Sequence, residues 1–340
     1  MPTKILHVTM RLGAGIATAI RQYAEALPEA QHALAASSVG WAPCPDYGAG
    51  FDNIRILPRQ WRNARSVISE LISSGSFDVV HAHSSHAGAL VRTLPFDVRV
   101  VYTPHALASL APRFSSLWWA GQTERLFGLR GITIAAVSDD EACRARRMSP
   151  RSRVVRLTNL PTVQARGTAR YCDPLRVAGC GRLTPQKHPE FFAAVARLSS
   201  AADLPFTFTW VGDGPAHYRK LLLRSGVTVT GWLSSDDVAK QLAQCTVFLH
   251  TALYEGSPFA LLDAAALGLP VVGRPVPGLR ELHWIRHMTT PRKALDVLQS
   301  MSGRETWSVS SQATTTAIHQ LTRETQRLQL LRAYGLVAHA

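Results

Sequence analysis

The chain has few cysteines, fewer acids than bases, and no long apolar run. Its five cysteines in 340 residues, Cys44, Cys143, Cys172, Cys180 and Cys245, are scattered without any CxxC spacing. That argues against a disulfide framework and reads as reduced thiols in a cytoplasmic protein. No segment reaches the roughly 20 consecutive apolar residues of a membrane-spanning helix. The opening MPTKILHVTMRL is too short and strand-like for a secretory signal, and a small-residue cleavage site is missing. There is also no GxSxG elbow, P-loop, HExxH or kinase signature, so nucleophilic catalysis by a protein side chain has no sequence support.

What is present is strongly basic. Lys and Arg number 37 against 23 acids, for a formal net charge of +14. A solvated basic surface is the first reading of this excess; anionic small molecules, anionic lipid and nucleic acid are the partner classes it opens, nucleic acid being the least favoured. Arg144, Arg146, Arg147, Arg151, Arg153 and Arg156 form a local cluster. Leu107 to Leu129, with Arg113, Trp118 and Trp119, offers basic and aromatic material for peripheral contact with an anionic membrane, although a helix packed in the core of the first half explains the two tryptophans at least as well. A hydrophobic fraction of 46% and a length sufficient for two cores indicate a globular, two-domain protein.

Short β-branched runs alternate with helical patterns along both halves. KILHVTM, FDVVHAH, RVVYTPHA and GITIAAVS read as strands of the first half. RVAGCGR, FTFTWVG, VTVTG, TVFLHT and LPVVG read as strands of the second. Helices are expected to start near His188, Ala216, Ser235 and Pro258, with a last helix over 308–334. The alternation predicts α/β halves, each a doubly wound parallel sheet, with a central cleft at the carboxyl ends of the strands. LTNLPTVQARGTARYCDP lacks periodicity and is the expected linker. The domains are then 1–165 and 170–319, with 320–340 as a candidate return onto the first.

Several strand ends carry chemistry. Glu255 stands before a Gly256-Ser257-Pro258 turn, Phe259 opens a helix, and Asp263 follows eight positions after Glu255. A helix N-terminus with one acid outside it and one along it suits a phosphate and a hydroxylated sugar. Gly181-Arg182 and Lys187 put two cations on a strand-end loop, an arrangement suited to a diphosphate, although in isolation a solvent-exposed pair is the better reading. Gly212 in WVGDGP lets the backbone approach a ligand, and Trp232 and Leu233 offer an apolar wall for a flat base. Gly13-Ala14-Gly15 forms a turn between the first strand and helix; Thr18 leaves GxGxxG incomplete. His81 and His83 share one face of a strand, but no carboxylate or cysteine completes a metal set. His105 lies past a strand end, where an imidazole can meet a sugar hydroxyl or a developing charge.

GRLTPQKHPE, WVGDGP, VTGWLSSDDV and EGSPFALLDAAALGLPVV, in this order and spacing, resemble the retaining glycosyltransferases of the group 1 family (family 4). The likeness extends to the Gly13–Gly15 loop, DVVHAHSSHAG and TPHA. It implies the GT-B fold of two Rossmann-like domains and a metal-independent transfer needing no cofactor. The sugar would pass from a UDP-, GDP- or ADP-linked donor to a glycan or lipid-linked acceptor, in cell-surface polysaccharide or glycolipid synthesis. By the same resemblance, Arg182 and Lys187 hold the leaving diphosphate, Glu255 the donor sugar and Asp263 the ribose. Gly256, Ser257, Pro258 and Phe259 supply the turn facing sugar and phosphate. Gly13, Gly15, Gly181 and Gly212 line the nucleotide sugar, His105 approaches it, and Trp232 and Leu233 flank the base. The chain departs from the pattern in having Asp263 in place of the usual Glu, His188 where Gly commonly follows the Lys, and a shortened loop after Leu282. Those departures keep two alternatives in view, a degenerate nucleotide-sugar-binding protein and a GT-B-fold epimerase.

Overall fold

The computed structural model describes residues 1–37, 50–95, 97–110, 113, 114, 118, 121, 125, 130–164, 167 and 169–337. The described chain forms two compact units, Met1–Leu160 with Thr322–Ala340, and Pro161–Leu321. Cys44, Trp119 and most of the Leu107–Leu129 segment expected to meet a membrane lie outside the described residues.

The first unit holds seven parallel strands: β1 Lys4–Thr9, β2 Gln31–Ser37, β3 Asn53–Leu57, β4 Val79–His83, β5 Arg99–Thr103, β6 Thr133–Ala136 and β7 Arg153–Arg156. Their order is β3-β2-β1-β4-β5-β6-β7, so the chain winds outward in both directions from the β1/β4 pair. Three of these strands carry no strand signal that the sequence reading used. Gln31–Ser37 is alanine-rich, Asn53–Leu57 is an edge strand with four of its five residues exposed, and Arg153–Arg156 sits inside the arginine cluster. Pairing with neighbours, not intrinsic preference, makes them strands. Within that cluster Arg156 is tied to Asp139, 2.7 Å away.

The second unit is a six-stranded parallel sheet: β8 Arg176–Cys180, β9 Thr207–Val211, β10 Val227–Val229, β11 Val247–His250, β12 Val271–Gly273 and β13 Arg286–His287. Its order, β10-β9-β8-β11-β12-β13, reverses between β8 and β11. Side chains alternate between two cores. Val177, Val247 and Leu249 join Phe192, Trp210 and Trp307 on one face, while Ala178 and Phe248 join Leu261, Leu262 and Val271 on the other. Burial on both faces is why these strands read as continuous apolar runs.

The single helix expected over 308–334 is two, Arg304–His319 and Arg323–Tyr334. Thr322 makes the break, its side chain accepting from the Thr325 amide as an N-cap. The second of the two belongs to the first unit, where Tyr334 Oη lies 2.9 Å from His81 Nδ1 and Arg327 pairs with Glu29 at 2.6 Å. No helix among the described residues is long and apolar enough to cross a membrane.

Candidate active site

In the second unit, the loops leaving β8 and β11 meet at the point where strand order reverses, the position at which open α/β sheets bind ligands. Lys187 Nζ and Glu255 Oε1 are 2.6 Å apart, and His250 Nε2, at the end of β11, is 3.5 Å from the same oxygen. Burial pushes the Glu255 carboxyl up, but Lys187 and His250 outweigh it and hold it at about 2. Glu255 is therefore an anion at neutral pH, although only 6% exposed. Its backbone amide donates to Pro277 O at 3.0 Å. A Cβ on Gly278 would lie 2.2 Å from Glu255 O, so the loop carrying VPGLREL closes tightly on this acid.

Lys187 is placed by a glycine contact. Gly181 has φ +137°, and a side chain there would crowd the Lys187 methylenes at 3.1 Å. Gly181 O in turn accepts from the Trp210 indole and abuts Gly212, where a Cβ would come within 2.3 Å of it. Thus Gly181 and Gly212 are required for packing of strand ends. Arg182 is exposed on the same loop, as are Trp232, 40%, and Leu233, 37%, beyond β10. Asp213 is bound to Arg219 at 2.7 Å and caps the Gly214 amide. Gly256 and Pro258 are buried; Ser257 and Phe259 are half-buried ahead of the helix Phe259–Ala266, with Pro258 as its N-cap and not in its first turn.

Asp263 faces the linker. Oδ1 accepts from the Thr162 amide at 2.5 Å and the Val163 amide at 3.4 Å, and Oδ2 accepts from Thr162 Oγ1 at 2.9 Å. These use three of roughly four acceptor positions of a carboxylate. Burial raises its pKa and the Thr162 and Val163 donors oppose the rise.

His188 explains its own departure from the family pattern. It has φ +53°, a conformation suited to glycine, and Arg274 donates to its Nδ1 at 3.1 Å.

In the first unit, His83 ends β4 and His105 follows β5. His105 Nε2 lies 3.1 Å from His83 Nδ1, in a left-handed turn of φ +60°. Glu141 holds that turn: Oε1 accepts from the Ala106 and Leu107 amides at 3.0 Å each, and Oε2 from Val137 at 2.8 Å. Gly13 is the extended N-cap of the helix Ala14–Ala26, so Gly15 sits in its first turn and the expected three-residue Gly13–Gly15 turn is shorter than read. His7, His81 and His83 bring ring nitrogens within 4.8 Å of one another. Every nitrogen of the three lies at hydrogen-bonding distance of His32, His105, Thr103, Tyr334 or another of the three, so an ion there would have to displace these contacts.

Sequence reading missed His250, Glu141, His7 and His32. His250 and His7 sit in recognised strands, and their positions were the available signal. Nothing local marks Glu141, which is one of three acids in the first turn of the helix Asp139–Met148, behind its Ser138 N-cap.

Residues 13–159 match the model for Glycosyltransferase Family 4, and residues 174–295 the model for Glycosyl transferases group 1. An Escherichia coli UDP-Gal:alpha-D-GlcNAc-diphosphoundecaprenol alpha-1,3-galactosyltransferase is 27% identical over 311 residues, covering 79% of this chain and 78% of that protein. Anabaena HepE, solved with UDP and glucose, superposes with a TM-score of 0.78 at 15% identity over 98% of this chain and 100% of its own. Thermosynechococcus elongatus sucrose-phosphate synthase does so with a TM-score of 0.78 at 18% identity over 98% of each chain. Both superpositions establish the GT-B fold. With these matches and the strand-end chemistry taken together, the chain is a glycosyltransferase and belongs to the group 1 glycosyltransferases of family 4.

Proposed function

We propose that the protein moves a sugar from a UDP-linked donor to a lipid-diphosphate-linked glycan acceptor, with retention and without a metal, in cell-surface polysaccharide synthesis. The Lys187–Glu255 pair at the β8/β11 reversal carries this reading. It holds a cation for a leaving diphosphate beside an ionised acid for sugar hydroxyls. Arg182 would add a second cation, and the amides ahead of the helix Phe259–Ala266 a dipole end. A leaving group stabilised in this way needs no protein nucleophile, and its departing phosphate can take the acceptor's proton. Trp232 and Leu233 would flank the base. The donor and acceptor classes follow the name of the Escherichia coli relative.

Thermal-shift measurements with UDP-, GDP- and ADP-sugars test the donor, selective stabilisation by one UDP-sugar being expected. NMR of the product then reads the anomeric configuration, and turnover in EDTA reads metal dependence. Inversion would overturn the retaining assignment, and loss of turnover in EDTA the metal-free one. The engagement of Asp263 by Thr162 and Val163 favours a second reading, a nucleotide-sugar-binding protein without transfer. Stabilisation by a UDP-sugar with no turnover would select it.

A further inference from the structure

We infer that three buried histidines, His32, His7 and His83, are positioning residues that fix His105 as its Nε2–H tautomer. Its Nδ1 then meets the substrate as a hydrogen-bond acceptor for a hydroxyl, not as a donor to phosphate. This rests on the proposed transfer reaction, with His105 at the donor sugar as the family resemblance implies.

The tautomers follow from counting protons. His32 Nε2 lies 3.0 Å from Leu27 O, and a carbonyl only accepts, so that nitrogen carries the proton. In a neutral ring His32 Nδ1 is then bare, and His7 Nε2, 3.1 Å away, must donate to it. His7 Nδ1 is bare in turn, so His83 Nε2 donates across 3.1 Å. His83 Nδ1 therefore accepts from His105 Nε2, also at 3.1 Å. Four neutral rings carry four ring protons, and the carbonyl with the three links uses them all. A proton on His105 Nδ1 would either be a fifth, which puts an imidazolium into the stack, or leave two bare nitrogens facing one another across the 3.1 Å between His105 Nε2 and His83 Nδ1.

The surroundings oppose that charge. His7 and His83 are fully buried and His32 is 4% exposed. Burial lowers the pKa of every ring in the chain, with neighbouring histidines adding to the effect at His7 and His83, and His105 falls to about 3. Tyr23 stacks on His81, His83 and His105, and its hydroxyl donates to Asn159. His81 packs 4.1 Å from His83 but spends both nitrogens on the hydroxyls of Thr103 and Tyr334. Glu29 and Asp52 pull His32 toward protonation, and burial outweighs them. Glu141 and Arg156 act on the neighbouring Tyr23 with opposite signs, and Glu141 spends its oxygens on backbone amides. His105 Nδ1 has no hydrogen-bond partner among the described residues and is the free end of the chain.

The test uses the full protein labelled with 15N-histidine at pH 7. Two-bond 15N–1H spectra should assign His32, His7, His83 and His105 to the Nε2–H form. A His105 that is Nδ1–H or doubly protonated overturns the inference. His7→Phe removes the second link, so His105 should then show both tautomers; wild-type spectra decide the matter if that variant does not fold. Transfer assays give the second arm. His105→Asn, which keeps an acceptor oxygen, should exceed His105→Lys by about threefold to tenfold, the effect of one hydrogen bond. Equal rates, or a faster Lys variant, would refute the acceptor role. If the protein transfers no sugar at all, the proposed function fails while the spectra still decide the tautomer.

Discussion

Lys187 Nζ lies 2.6 Å from Glu255 Oε1, and the two residues reach one another from the loops that follow adjacent strands. The pair is largely out of water, with side chains 20% and 8% exposed. Removing one partner leaves the other charge buried, a cost of about 3 kcal/mol. Lys187→Ala should therefore lower the melting temperature as well as transfer, the latter by about a hundredfold or more if the cation stabilises the leaving group. The double variant Lys187→Met with Glu255→Gln separates the effects: stability should return while transfer does not. Recovery of transfer in the double variant would remove the pair from catalysis.

Acid should act through the same carboxyl. Glu255 is held at about 2, below its ordinary value. Its contribution to stability is present above the unfolded pKa and is lost as pH falls from there toward 2. Glu255→Gln should flatten that part of a stability–pH profile, measured by denaturant unfolding.

Glu141 behaves in the opposite sense. Burial raises its carboxyl to about 7 against the pull of the Val137, Leu107 and Ala106 amides and Arg156. The folded state then binds more protons than the unfolded one between the ordinary carboxylate range and pH 7, so this group's contribution falls as pH rises through that window. Carboxyl 13C NMR should show a titration near 7. Glu141→Gln turns an amide donor toward one of the backbone N–H groups, and should cost about 1–3 kcal/mol.

The two backbone amides and the hydroxyl bound to Asp263 predict a structural phenotype. Asp263→Ala leaves the Thr162 and Val163 amides without their acceptor. The expected loss is about 1–3 kcal/mol, with faster proteolytic cleavage of the linker. Asp263→Glu tests the ribose role: tighter nucleotide binding would show that the shorter acid restricts it.

His188 offers a strain measurement. His188→Gly and His188→Ala both lose the Arg274 contact, so their difference isolates the φ of +53°. Glycine should be more stable than alanine by about 1–2 kcal/mol, read from urea midpoints. Equal midpoints would mean that the turn relaxes.

Much of this was legible in the chain itself. Strands β1, β4, β5, β6, β8, β9, β10, β11 and β12 announce themselves because buried parallel strands are short β-branched or apolar runs. Strands β2, β3, β7 and the two-residue β13 do not, since their residues gain strand geometry only from neighbours. Lys187 and Glu255 were named from spacing, yet the sequence has no means of showing that 68 residues apart they form one ion pair.

The sequence by itself determined the alternating architecture, the family resemblance and which strand ends carry charge, because these are properties of local pattern and order. Only the tertiary structure decided who meets whom. It turned Asp263 toward Thr162, put His250 beside Glu255, and stacked His32, His7, His83 and His105 into one hydrogen-bonded line. The reason is physical: burial makes an unpaired polar group costly, so partners are chosen by three-dimensional proximity and not by distance along the chain.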